Sequence, residues 1–151
     1  LHDLRENFDT SLLLITHNLG IIAEACDQVA VMYAGKIVEI GDARTVFADP
    51  RHPYTRELLR STITLATDGL HSIPGAPPDL VSPPSGCHFH PRCPDAMTVC
   101  PLREPAMLSR DGRPVGVGTN DVACWAANPA GLSEAERAPL AREELSVADE
   151  A

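Results

Sequence analysis

The 151-residue sequence predicts an α/β region followed by a small, loop-rich segment bound together by cysteines. Three observations carry that expectation. A continuous apolar run, Leu12-Leu13-Leu14-Ile15, lies between two stretches of helical apolar spacing, and a strand apolar on both faces suits a parallel sheet covered by helices. Nine of the 14 prolines fall between Pro74 and Pro105, which denies the middle third regular structure. Four of the five cysteines are confined to the stretch from Cys87 to Cys124. The expected organisation is an α/β region over residues 1–61, a proline-rich linker and cysteine-bound accessory domain over 62–128, and an acidic, disordered tail over 129–151.

Each element has a local reason. Leu1, Leu4 and Phe8 repeat at i, i+3, i+7, the stripe of a short amphipathic helix. After the strand at 12–15 and the polar trio Thr16-His17-Asn18, residues Leu19, Ile22, Ala23 and Cys26 repeat the helical spacing. Residues 28–33 and 36–40 are two β-rich runs joined by Ala34-Gly35, which reads as a hairpin. Gly41-Asp42 ends the second run and can cap a helix over 43–48. Pro53 suits the first position of a helix over 54–61, with Tyr54, Leu58 and Leu59 on one face. From Thr62 the periodicity fades, and the run from Ile73-Pro74-Gly75 to Pro83-Pro84-Ser85-Gly86 reads as a stiff, extended linker.

Composition excludes several function classes. No apolar run approaches the roughly 18–20 residues that cross a bilayer. The start, Leu1-His2-Asp3-Leu4, has neither an initiator Met nor the order of a signal peptide, as expected for a piece of a longer protein. The formal charge is −9, of which residues 131–151 carry −4 with six acids and two bases. The other 130 residues hold 10 basic and 15 acidic groups and nowhere cluster Lys and Arg, so nucleic acid is not an expected partner. Six aromatic residues also leave few stacking platforms for single strands.

The cysteines divide into one and four. Cys26 sits on the apolar face of a predicted helix and reads as a small buried hydrophobe. Cys87, Cys93, Cys100 and Cys124 follow the spacing C-x5-C-x6-C-x23-C. A segment so poor in apolar periodicity needs a staple, which two disulfides, a zinc ion or an iron–sulfur cluster could supply. Disulfides require an oxidising compartment, and the absence of a secretory signal speaks against one. Zinc ribbons usually carry tight knuckles of two to four residues, which this spacing lacks. A cubane accepts wider spacings, and prolines follow Cys93 and Cys100 as in ferredoxin-like runs. His88 and His90 beside Cys87 keep a Cys/His zinc site open.

At Leu13-Leu14-Ile15-Thr16-His17-Asn18 the sequence resembles the switch-histidine strand of ABC transporter ATPases. The blocks from Ala30 to Glu39, then His52-Pro53-Tyr54-Thr55, Ile73-Pro74-Gly75 and Cys87-His88-Phe89-His90-Pro91-Arg92-Cys93, are similar to the ATP-binding subunits of bacterial oligopeptide and dipeptide importers. The resemblance covers Leu1 to about Ala127 and implies a fold: the C-terminal part of a P-loop ABC nucleotide-binding domain, followed by the accessory domain. It implies ATP with Mg²⁺ as cofactor of the intact protein, with His17 at the γ-phosphate as a catalytic and nucleotide-binding residue. That placement agrees with the physics, because ligands in open α/β sheets bind beyond the carboxyl ends of strands. Asn18 departs from the Asp common at its position; it keeps the capping role and loses the charge.

The resemblance also implies a four-iron four-sulfur (4Fe-4S) cluster on Cys87, Cys93, Cys100 and Cys124, with zinc as the alternative. Implied partners are a second ATP-binding subunit, transmembrane permease subunits and, indirectly, a peptide-binding protein. The implied location is peripheral, on the cytoplasmic side of the cell membrane. A rival from another class is a stand-alone metal-binding or redox-sensing module unrelated to transport. ATP hydrolysis further requires a phosphate-cradling loop, a Walker B carboxylate and a signature motif. The nearest match to the first is Gly35-Lys36-Ile37, which lacks the leading glycine and the hydroxyl, and the other two do not occur. In the resembling family all three precede the switch histidine, so this chain alone is expected to be inactive.

Overall fold

A two-residue turn organises the fold. Ala34 and Gly35 take φ of 44° and 78°, the pair of positive angles whose twist suits a tight hairpin. They join β1 (Gln28–Tyr33) to β2 (Lys36–Asp42) in an antiparallel pair. The computed structural model describes residues 11–63, 72–111 and 120–141, and the helix expected around Leu4 lies outside them. β1 alternates, burying Val29, Val31 and Tyr33. β2 does not: the register shifts between Val31 and Met32, where Glu39 faces Val31 and Ile37 faces Met32. Val38 is the extra residue of that bulge, so Val38 and Glu39 are both buried in succession.

The helices pack where their caps start them. α1 (Leu19–Ala25) begins at Asn18, whose side chain accepts the N–H groups of Gly20 and Ile21 at 3.1 and 3.4 Å. α2 (Ala43–Ala48) begins at Asp42, which accepts Thr45 N–H at 3.1 Å. α3 (Pro53–Ile63) has proline in its first position, where the missing donor costs nothing. Ile22 of α1 and Ala43 and Val46 of α2 join Val29, Val31, Tyr33, Val38 and Phe89 in one core, with Cys26 half-buried against it. Tyr54 and Leu58 of α3 pack on the same cluster.

The cysteine segment is welded into this core rather than hung from it. β3 (Asp121–Val122) adds to β2 antiparallel, giving a three-stranded sheet of order β1-β2-β3. Phe89, with no exposure, stands among Tyr33, Tyr54 and His52, with ring centroids 5.1, 5.4 and 5.9 Å away. Residues on both sides of the expected boundary at 61/62 therefore share one core. A second, smaller cluster of Val99, Cys100 and Leu132 lies beyond it.

The hairpin expected over 28–40 is present, and the sheet it belongs to is antiparallel among the described residues. One expectation is corrected. Residues 12–15 form no strand: Leu12, Leu13 and Ile15 are 58%, 87% and 90% exposed, because a strand needs a neighbour for its hydrogen bonds and none of the described strands pairs with it. The acidic tail carries one short helix among its described residues. α4 (Glu134–Arg137) starts in a reciprocal capping box of Ser133 and Glu136, Arg103 pairs with Glu136, and Thr98 and Leu140 N–H bond Ala138 and Ala96 carbonyls at 3.0 and 2.9 Å. Leu132 anchors the segment in the second cluster, an apolar group that charge counting overlooks. No helix among the described residues is long and apolar enough to cross a membrane.

Candidate functional site

The fold joins Cys87 to Cys100 directly and places Cys93 and Cys124 in the same segment of the molecule. Cys87 N–H donates to Cys100 O at 2.8 Å, and a single 3₁₀ turn, His90–Arg92, carries the chain from Cys87 round to Cys93. Gly86 makes that approach possible: its φ is +65°, and a Cβ there would lie 2.2 Å from Cys100 O. Cys124 follows β3 directly, so strand pairing delivers the fourth thiol. Cys100 and Cys124 are buried, Cys87 and Cys93 half-buried, and all four are free thiols.

Their electrostatics are those of a closed group. Burial pushes the Cys87 thiol up to about 12, and burial likewise raises Cys93, Cys100 and Cys124. Cys87 is raised further by Cys100 and Cys124, and Cys93 by Cys124 and Cys87, so each sulfur resists ionising beside its neighbours. Backbone amides pull the other way. Phe89 and His90 serve Cys87, Asp95 serves Cys93, Met97 serves Cys100 and Ala126 with Ala127 serves Cys124. Every sulfur thus has a main-chain donor that would stabilise a thiolate.

The donor chemistry suits a thiolate-bound group, but the side chains are not drawn onto a point. Among the described residues no three His, Cys, Asp or Glu side chains converge closely enough to hold a metal ion. A tetrahedral zinc requires four ligands about 2.3 Å from one centre, whereas a cubane takes each thiolate on a separate iron. The geometry of the described residues therefore selects neither a cluster nor a single ion, and a stand-alone metal module is not favoured. The two nearby histidines have structural partners: His88 Nδ1 lies 3.0 Å from Ala34 O and His90 Nδ1 2.8 Å from Cys87 O.

His17 stands on an exposed bend just before α1. It does not cap that helix, a role its neighbour Asn18 fills. Thr16 Oγ1 accepts Asn18 N–H at 3.0 Å, so the residues flanking His17 shape the bend and leave its imidazole accessible.

Residues 38–100 match the family model described as oligopeptide/dipeptide transporter, C-terminal region. The chain is 45% identical over 125 residues to the dipeptide transport ATP-binding protein DppD of Bacillus subtilis (strain 168), covering 82% of this chain and 36% of that relative. Over residues 38–100 the chain is similar to that transporter family. The oligopeptide transport ATP-binding protein OppD of Salmonella typhimurium is 45% identical over 115 residues, 75% of this chain and 34% of the relative. OppD of Bacillus subtilis is 50% identical over 109 residues, 70% and 30%. The chain spans about a third of the length of the curated relatives it matches.

Within the stretch matched to the transporter C-terminal region lie two buried polar residues that sequence reading missed. Glu39 has no exposure, and its Oε1 and Oε2 accept the N–H groups of Arg51 and His52 at 2.8 and 3.0 Å. His52, 1% exposed, accepts Tyr54 N–H on Nδ1 at 3.0 Å. Burial, then the nearby Arg56 charge, pushes its pKa down to about 3. An acid on an alternating strand reads as solvent-facing, and the bulge that turns Glu39 inward has no signature in one sequence. Arg92 enters the sequence reading only as part of a motif, yet it fastens three groups: Nε to Pro74 O at 2.8 Å, Nη2 to Ile73 O at 2.9 Å and Nη1 to Tyr33 OH at 3.4 Å.

Proposed function

We propose that the chain is the C-terminal part of an ATP-binding subunit that couples ATP hydrolysis to peptide import. The observation that carries the reading is the family match over residues 38–100 together with 45% identity to a dipeptide transport ATP-binding protein over 82% of the chain. The exposed apolar run at 12–15 supports it. Leu13 and Ile15, apolar and about nine-tenths bare, are what a strand of a larger parallel sheet presents when its neighbours belong to other parts of the subunit.

In this reading ATP and Mg²⁺ bind the intact subunit, and His17 acts on the nucleotide. An accessible imidazole just after the apolar run at 12–15 can hydrogen-bond the γ-phosphate and stabilise charge on the transferring group. The partners are a second ATP-binding subunit and transmembrane permease subunits, with a peptide-binding protein acting indirectly. The subunit then sits peripherally on the cytoplasmic side of the membrane.

Cys87, Cys93, Cys100 and Cys124 would hold a four-iron four-sulfur cluster, whose one-electron chemistry makes the site structural or redox-sensing rather than hydrolytic. The chain's own part is to bury the four sulfurs and turn a backbone amide to each.

Two measurements on the intact subunit test the reading. His17→Ala is expected to lower ATP turnover by about a hundredfold or more while nucleotide still binds, and unchanged turnover would sink the nucleotide role. Anaerobic purification is expected to give a brown protein absorbing broadly near roughly 400 nm with iron; a colourless protein with one zinc per chain would replace the cluster with zinc.

A further inference from the structure

The loop from Cys87 to Cys93 does more than supply two thiols. Between them lie five residues, His88, Phe89, His90, Pro91 and Arg92, and three of these reach other parts of the molecule. His88 Nδ1 bonds Ala34 O at 3.0 Å, in the tip of the β1–β2 hairpin. Phe89 fills the main core. Arg92 bonds the carbonyls of Ile73 and Pro74 and the hydroxyl of Tyr33. The hairpin tip needs such a hold, because Ala34 takes a positive φ of 44°, a left-handed conformation that a residue with a Cβ resists.

The proline strap over residues 72–85 depends on the same segment at both ends. It is exposed along most of its length and carries two bare apolar side chains, Leu80 at 72% and Val81 at 90%. Its leading end is fixed by Arg92, with Gly75 at φ +79° and the position of its absent Cβ 3.3 Å from Arg92 Cγ. Its trailing end is fixed by Ser85 Oγ donating to Pro101 O at 2.9 Å and by the Cys87–Cys100 backbone bond. Polyproline conformation makes the strap stiff, so fastening two ends sets its whole course.

We infer that the Cys87–Cys93 loop is a two-pronged clamp that makes the order of the hairpin tip and of the proline strap depend on the state of the four-cysteine group. One prong is His88 on the hairpin and the other is Arg92 on the strap. Holding or losing the thiols in place moves the loop, and the loop carries both prongs with it. The inference rests on the proposed reading of the four cysteines as one centre, but not on which group they hold. Arg92 and His88 are positioning residues: neither touches nucleotide or the reacting atoms.

The test uses the intact protein, with hydrogen exchange read at the hairpin tip, methyl relaxation read at Ile73, and the cysteine centre followed separately by absorbance and iron content. Arg92→Ala should free the Ile73 methyl and leave absorbance unchanged, and through its 3.4 Å bond to Tyr33 OH should alter tip exchange far less than His88→Ala does. His88→Ala should speed tip exchange roughly tenfold and leave Ile73 rigid. Cys93→Ser should do both at once while the β1–β2 ladder stays protected. If Cys93→Ser exposes the ladder as well, the two single variants decide, and the clamp stands only if each loosens its own target selectively. Wild-type behaviour of tip and strap in Cys93→Ser, or of its target in either single variant, overturns the clamp. A protein with no iron whose variants still behave as described loses the cluster and keeps the clamp.

Discussion

Glu39 grips the chain in front of α3 through His52, accepting its N–H on Oε2 at 3.0 Å while Oε1 takes Arg51 N–H at 2.8 Å. The carboxylate has no exposure, so both amides depend on it. Glu39→Ala would leave two buried donors without a partner and is expected to destabilise the protein by roughly 2–4 kcal/mol in urea unfolding. Glu39→Gln keeps one acceptor and should cost less. Equal stability of the Glu39→Ala variant and the wild type would show that water replaces the carboxylate.

His52 makes stability sensitive to acid. Its folded pKa is about 3 against 6.5 for the unfolded chain. The unfolded state therefore takes up a proton as pH falls below about 6.5 and the folded state does not, until pH nears 3. Stability contributed by neutral His52 is intact above 6.5 and is lost progressively across that window, with a limiting slope near 1.4 kcal/mol per pH unit. Unfolding midpoints between pH 7 and pH 4 should fall in the wild type and fall less in His52→Gln.

Phe89 couples the cysteine loop to the sheet by burial alone. It is fully enclosed and meets Tyr33 edge-on at 81°. Phe89→Ala should cost about 3–5 kcal/mol, and Phe89→Leu clearly less, measured by thermal or chemical unfolding.

Gly86 is held by two demands together, a positive φ of 65° and the close passage of Cys100 O. Gly86→Ala should cost about 2–4 kcal/mol and separate Cys87 from Cys100. Faster labelling of the two thiols by a small alkylating reagent in the variant is the readout, and unchanged labelling would mean the backbone shifts cheaply.

ATP turnover by the 151-residue chain alone is expected to be nil, because its sequence carries no complete phosphate-cradling loop. Turnover that disappears in His17→Ala would contradict this.

Short-range features were legible because short-range physics sets them. Ala34-Gly35 marks a turn, Asn18 and Asp42 cap the helices that follow them, and Pro53 opens α3; each depends on a dihedral angle or a bond within three residues. The spacing of the four cysteines was legible too, whereas among the described residues no three metal-binding side chains converge on a point. Less of the candidate site was readable. The work of His88 and Arg92 joins residues 54 and 18–19 positions apart or more, and nothing in the spacing of a single chain encodes such partners.

By itself, then, the amino-acid order determined the hairpin, the caps, the proline strap and the family resemblance. Tertiary structure decided what those pieces face. β3 pairs with β2 across about 80 residues of chain, bringing the segment of Cys124 onto the sheet, because a strand's hydrogen bonds need a partner that only the folded chain brings near. A one-residue bulge turned Glu39 from a surface acid into a buried anchor. Conversely, the most apolar run in the sequence lies bare at 12–15, since burial depends on a neighbouring surface and not on the hydrophobicity of the run itself.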